Sequence, residues 1–462
     1  MTPQRSTFAE RAAQQIATPS VGRAIAHAMD VRAGRTAHVF DGADLPTMRA
    51  AAAAIRDHTL ASLPEYLERF AANAEARGTR VFLAADSEEA TGYIRRLVRE
   101  RGAGSIVKGK SMVTEEIDLN AALAADGIEV VETDLGEYIV QLAGERPAHI
   151  TVPAVHRSRG EIRELFERVH GVSLPDDAEA LTHFARGVLR ERFLVADVGI
   201  TGVNFAVAET GSLVVVENEG NVRMSASLPR VHVAVMGIER IVPSFRELAV
   251  LLPLLTGSAT GQRVTGAVNV ISGPRGSETD GPEELHVVIV DNGRSAILGT
   301  ELAPVLRCIR CGACQNVCPV FRQVGGHAYG GVYGGPIGAV LTPLLEGIDD
   351  LPHASSLCAA CTQACPVEIP LHEQLLALRR RYARERAGLG ERLAFRLWGW
   401  AWSSPGRYAW TARLGRIAQV PLARHGRIRR APFPFSRWTD GRDLPPIAAR
   451  SFRERWRSGG GS

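Results

Sequence analysis

All seven cysteines of the 462-residue chain fall between positions 308 and 365. They form two copies of one spacing. The first is Cys308, Cys311, Cys314 and Cys318, followed by Pro319; the second is Cys358, Cys361 and Cys365, followed by Pro366. Two-residue gaps curl the backbone around a cubane, so that three thiolates reach three irons. Amide N–H groups of the same turn then face the sulfides and offset the negative charge. A fourth cysteine with proline behind it leaves in an extended direction and reaches a neighbouring cluster. Zinc is the competing reading, because paired C-x2-C units also build four-thiolate zinc sites. Three cysteines at consecutive two-residue gaps crowd a single tetrahedral ion, and a Cys-Pro step closes both copies, so the spacing favours iron and sulfide. Structural clusters are the bland use of such a pair; electron transfer is the use expected here.

The first copy matches the run of bacterial ferredoxins residue for residue. On that pattern cluster one takes Cys308, Cys311, Cys314 and Cys365, and cluster two takes Cys318, Cys358 and Cys361. Aligning the copies on their Cys-Pro steps sets Ser355 opposite Cys308, so cluster two lacks one thiolate. Its fourth corner falls to the Ser355 oxygen, water, His327 or another donor, or stays empty. The expectation is that Ser355 is an ordinary turn serine, and that His327 does other work. The glycine-rich stretch 325–336 carries His327, Tyr329 and Tyr333 and reads as an ordered docking loop, with a plain flexible loop as the alternative.

Three further residues are candidates for ligand binding. Lys108 and Lys110 are the only lysines, every other basic residue being arginine. They follow a short strand and precede a helical run, where a compact ammonium would contact an anion; a solvated turn is the equal alternative. The G-x-x-x-x-G-K-[ST] frame is absent, so nucleotide hydrolysis is not supported. Glu209 sits between two apolar strand segments. It either pairs with Lys108, Lys110 or Arg223, faces a ligand cleft, or lies in water on a turn. No catalytic residue is assigned, and no flavin or nicotinamide fingerprint is found.

These residues need a scaffold, and the length calls for two or three domains. With 45% hydrophobic and 23% charged residues the chain is not mostly disordered. No apolar run reaches the length of a membrane span. The first ten residues lack an apolar core, so no secretory signal is expected. An odd cysteine count without a signal points to a reducing, cytoplasmic setting. Residues 1–65 read as a helical arm. Apolar runs at 81–84, 106–107, 128–131 and 150–155 alternate with helical stretches at 87–99, 115–125, 161–169 and 178–190, the mark of an α/β domain with a largely parallel sheet. Strands at 205–207, 212–216, 231–235 and 286–290 follow, interrupted by a helix at 245–255. Residues 371–462 hold 20 arginines, no lysine and 6 acids, while the whole chain is only +4, so charge is segregated between segments. All six tryptophans lie in that basic tail.

Residues 199–212, 218–225, 228–243 and 281–294, followed by the cysteine pattern and residues 327–343, resemble the lactate utilization protein B family. The resemblance covers roughly residues 65–370, and the tail is similar to that family's C-terminal extension. It implies a LUD α/β domain of the isomerase/CoA-transferase-like type, a helical ferredoxin-type iron–sulfur domain and a helical extension. The corresponding boundaries are 1–65 (arm), 66–300 (LUD), 301–370 (iron–sulfur) and 371–462 (extension). It implies two 4Fe–4S clusters, although three cysteines are equally compatible with a 3Fe–4S second cluster or a non-cysteine fourth ligand. It also implies an electron-relay subunit of a complex oxidising L-lactate to pyruvate, beside a cysteine-rich partner and a second LUD protein. A different reading makes the α/β domain itself catalytic on a carboxylate or phosphorylated substrate, with the clusters as redox sensors; a third makes the clusters a scaffold. In the tail, Arg379, Arg380, Arg381, Arg384 and Arg386 precede Phe395, Trp398, Trp400 and Trp402. Docking on an acidic partner subunit is expected there, with peripheral contact to anionic lipid second and no nucleic acid.

Overall fold

Valine- and isoleucine-rich runs become ten strands among the described residues: β1 (Arg80–Ala84), β2 (Ser105–Lys108), β3 (Glu129–Glu132), β4 (Val198–Gly202), β5 (Phe205–Val207), β6 (Ser212–Glu217), β7 (Val231–Gly237), β8 (Ile241–Val242), β9 (Ala267–Ile271) and β10 (Glu284–Val290). The computed structural model describes residues 6–277, 280–385, 387–432, 435–439 and 442–458. Contacts divide the chain into two units, Met1–Arg379 and Arg380–Ser462.

Six strands form one sheet in the order β1-β10-β7-β4-β2-β3, every neighbouring pair parallel. Helices cover both faces, so the central strands are mostly apolar, and every residue of β7 is buried. Helix Ser87–Glu100, capped by Asp86 on the Glu89 N–H, packs Ile94 and Val98 with Ile200 and Val233 on one side. On the other, Phe70 and Ala74 pack with Ala234, Met236 and Val287. Strand β2 is the point where the order reverses, because β3 lies on one side of it and β4 on the other.

The smaller sheet, β8-β5-β6-β9, carries the cysteine segment. Phe205, Val207 and Val214 share one core with Leu251, Phe321, Tyr329, Tyr333 and six of the cysteines. The N-terminal helices close this core: Ile25 and Met29 of Pro19–Thr36 pack into it, and Asp30 pairs with Arg322 at 2.7 Å. From Leu45–Ala61 the buried Arg56 donates to the carbonyls of Ile241 and Leu306 at 2.8 and 3.2 Å, tying the small sheet to the chain entering the first cysteine run.

Several elements depart from expectation, each for a local reason. Residues 150–155 make bends and turns instead of a strand. His149 Nδ1 accepts the N–H groups of Thr151 and Val152, which a strand would need, and Pro153 offers none. The run at 115–125 divides at Asp118, whose φ of 48° ends Met112–Glu116 before Leu119–Ala124 begins. Strand β4 was not anticipated because two of its five residues are glycine. Gly199 is needed there, since a Cβ would stand 1.7 Å from the Ser225 carbonyl oxygen. β9 and helix Asn221–Ser227 were likewise not anticipated.

In the second unit, helices Leu389–Trp402 and Pro405–Ala418 contain no buried residue. Trp398 stacks on Trp402 at 5.5 Å, and the Arg407 guanidinium lies over Trp400 at 5.2 Å. Arg386 lies outside the described residues. Among the described residues no helix is long and apolar enough to cross a membrane.

Candidate functional site: two groups of thiols beside an α/β cleft

Both cysteine runs adopt one local conformation. In the first, Arg310 and Gly312, the neighbours of Cys311, have φ of 60° and 75°; in the second, Leu357 and Ala359, the neighbours of Cys358, have 55° and 64°. Left-handed backbone at a non-glycine residue costs roughly 1–2 kcal/mol, and three of these four positions bear it. Backbone N–H groups face sulfur in the first curl and after both closing Cys-Pro steps. Arg310 N–H donates to Cys308 Sγ, Phe321 N–H to Cys318 Sγ and Ile369 N–H to Cys365 Sγ, at 3.4, 3.5 and 3.4 Å. Short helices follow each curl, Ala313–Asn316 bearing Cys314 and Ala360–Ala364 bearing Cys361, and they pack on each other.

The fold brings the thiols together in two groups. Cys308, Cys311, Cys314 and Cys365 line one cavity, closed by Ile150, Ile309, Ile337, Val367 and Ile369. Charge on Cys308, Cys311 and Cys365 acts on Cys314, whereas Cys361 feels Cys318 and Cys358. Burial pushes the Cys361 and Cys365 thiols up to about 11, so iron must displace their protons at neutral pH. Cys358 is exposed; hydrogen bonds from the Ala360 N–H and Ser356 lower its pKa. Among the described residues, no three His, Cys, Asp or Glu side chains converge as a single ion would need. Four thiols around a cavity, with N–H groups turned to sulfur, are a donor set for a polynuclear centre. Tyr329, fully buried, lies within the electrostatic reach of Cys314 in one group and of Cys318 and Cys361 in the other.

The other candidates fall in different places. His327 Nε2 meets the Arg146 carbonyl at 2.7 Å and its ring packs on His156, so one of its two nitrogens is engaged by the protein. Ser355 Oγ accepts the Leu357 N–H at 3.1 Å, as a turn serine does, and this repeats the bond between Cys308 and Arg310. Lys108 does not face an anion site. Its ammonium is buried against Glu132 at 2.8 Å and Glu115 at 3.0 Å, which outweigh the cost of burial and raise its pKa. Glu209 is exposed on the turn between β5 and β6 and lines no cleft. Lys110 alone of the three lines a cleft, at the C-terminal ends of β2 and β4.

Sequence reasoning missed a buried charge network joining the two parts. Arg294 binds Glu116 at 2.7 and 2.8 Å and Glu239 at 2.8 Å. Tyr333 donates to Glu116 at 2.7 Å, and Arg310 pairs with Glu239 at 3.3 Å while lying 4.3 Å from the Tyr333 ring centre. Burial works against the Glu239 charge, but Arg294, Arg240 and Arg310 outweigh it and hold the carboxyl down at about 2. The only signal in the sequence was an arginine inside the first cysteine run; its ion-pair partner, Glu239, lies 71 residues away.

A parallel α/β sheet joined to paired cysteine runs defines an iron–sulfur protein built on a LUD scaffold. The LUD domain family matches residues 67–290, the 4Fe-4S dicluster domain family residues 304–369, and the family "Lactate utilisation protein B, C-terminal" residues 378–460. Lactate utilization protein B of Bacillus licheniformis is 49% identical over 97% of this chain and 95% of its own length. The protein of that name from Geobacillus kaustophilus is 51% identical over 88% and 87%. A solved DUF162-family structure from Deinococcus radiodurans covers 50% of this chain and 98% of its own, at 17% identity and a TM-score of 0.28. The chain belongs to the lactate utilization protein B family, and its role lies in lactate utilization.

Proposed function

We propose that this chain is the electron-relay subunit of a complex that oxidises L-lactate to pyruvate. The observation that carries the reading is the separation of seven thiols into a group of four around a cavity and a group of three beside it. Cys308, Cys311, Cys314 and Cys365 would hold one cluster, and Cys318, Cys358 and Cys361 the other. Bound there, iron–sulfur clusters supply one-electron transfer. The chain's own residues then set the conditions. Ile150, Ile309, Ile337 and Ile369 keep water from the four-thiol cavity, and the N–H groups of Arg310, Phe321 and Ile369 offset negative charge on sulfur. Cys358 is exposed, whereas Cys308 is half-buried and the other five thiols are buried, which supports a reading in which the second cluster faces the redox partner. Its fourth corner has no cysteine; a non-thiolate donor or a 3Fe–4S centre completes the reading, and Ser355 occupies the place that Cys308 holds in the first copy.

With no flavin or nicotinamide fingerprint in the sequence, the first acceptor of lactate electrons is assigned to a partner. The cysteine-rich subunit and a second LUD protein are the partners expected of such a complex. Lactate-dependent dye reduction by the purified chain tests this directly: the relay reading expects none until partners are added, and activity of the chain alone overturns it.

A further inference from the structure

The cleft at the ends of β2 and β4 contains more than Lys110. It occupies the reversal point of the strand order, where parallel α/β sheets open a crevice. Its space is about 260 Å³, enough for a ligand of a few heavy atoms. Three cations line it: Lys110 after β2, Arg240 after β7, and Arg310, which enters from the first cysteine run. Arg240 and Arg310 are 6% and 8% exposed. Lys110 Nζ is buried with no hydrogen-bond partner, its nearest carboxylate, Glu137, being 3.7 Å away. The Nε and Nη1 atoms of Arg310 are also buried without partners. Unpaired buried donors of this kind are costly, and they cluster here around one space.

Three acids line the same cleft, and each already accepts hydrogen bonds from N–H groups of the chain. Glu217 accepts the N–H groups of Val222 and Arg223 and the Asn269 amide, while Asp134 accepts those of Gly136 and Glu137. Glu219 accepts the Leu135 N–H; burial and then the Asp134 charge push its carboxyl up to about 7. Balanced charge disfavours a ligand with several negative charges. Met112, Val203, Val215 and Leu255 add an apolar wall.

We propose that this cleft binds a small monocarboxylate, its carboxylate held by Lys110, Arg240 and Arg310 and its short apolar body lying on Met112, Val203 and Leu255. Arg310 and Ile150 line both the cleft and the four-thiol cavity, so the ligand lies against the wall of the first cluster site. The binding claim does not depend on the relay reading.

The test is calorimetric titration of the full-length chain, prepared anaerobically with its iron and sulfide, using pyruvate, L-lactate and inorganic phosphate in separate arms. Saturable binding of at least one of the two carboxylates at one site per chain, tighter than phosphate, is expected. Lys110→Gln and Arg240→Gln should each weaken it by roughly tenfold or more, the loss of one charge-assisted hydrogen bond, while Glu209→Gln on the exposed turn leaves it unchanged. If Arg240→Gln melts early or loses cluster absorption, Lys110→Gln, outside the buried charge network, decides. No saturable carboxylate binding, tighter binding of phosphate, or wild-type affinity in Lys110→Gln would overturn the proposal. Calorimetry reads the cleft and dye reduction reads the relay, so the two can fail separately.

Discussion

Ser355 and Cys308 hold equivalent places in the two copies, each accepting the N–H two residues ahead. The difference between them is a hydroxyl in place of a thiol, and a neutral hydroxyl is a poor iron ligand. On the proposed assignment, mild oxidation should remove the uniquely held iron of the second cluster first and produce the EPR signal of an oxidised three-iron centre. Cys318→Ser should abolish that signal and spare the first cluster, whereas Ser355→Cys should suppress it by supplying the missing thiolate. Simultaneous oxidation of both clusters, with no three-iron signal in the unaltered chain, would contradict this assignment. At this scale the sequence was most legible where chemistry demands a fixed spacing, as in the cysteine runs. It was least legible for Lys108 and Glu209. A rare lysine beside a strand looks the same whether its partner is a ligand or, as here, Glu132 from the neighbouring strand.

Among the elements, the turn after β7 carries the charge network that joins the α/β sheet to the first cysteine run. Gly237 precedes it, and a Cβ at that position would stand 2.1 Å from Glu239 Oε2, so only glycine lets the carboxylate reach its arginines. Glu239→Gln leaves Arg294 and Arg310 without that charge, and breaking a buried pair costs about 3–5 kcal/mol. Denaturant unfolding of the variant should show a loss of that size. The pH dependence follows from the same contacts. The folded carboxyl is held at about 2, below the usual glutamate range, so its contribution is present above the unfolded pKa and is lost as pH falls toward 2. The stability gap between the unaltered chain and Glu239→Gln should therefore narrow on acidification below about pH 4.5; a constant gap would show that Glu239 is not held ionised by its arginines. Strands with long apolar runs, such as β7 and β10, were readable because both faces are buried. β4 was not, since Gly199 answers to Ser225 on a different element.

For the whole molecule, the N-terminal helices, the small sheet and the cysteine segment share one core, whereas the Arg380–Ser462 unit presents tryptophans to solvent. Trp398, Trp402 and Trp410 are each more than half exposed. Aromatic and arginine side chains together are the composition of a binding surface. Removing residues 390–462 should leave cluster absorption intact and abolish co-purification with partner subunits; undiminished co-purification would refute the docking role. Charge segregation made that tail recognisable as a separate segment, but the core shared by arm and cysteine segment could not be read in advance, because it depends on contacts such as Asp30 with Arg322, 292 residues apart. The relay reading depends on iron and sulfide occupying the two thiol groups. Iron and acid-labile sulfide counted per chain after anaerobic purification is therefore the deciding measurement. About seven to eight irons with about eight sulfides are expected for two clusters, one of them at risk of losing an iron. About one or two zinc ions per chain and no sulfide would contradict the account.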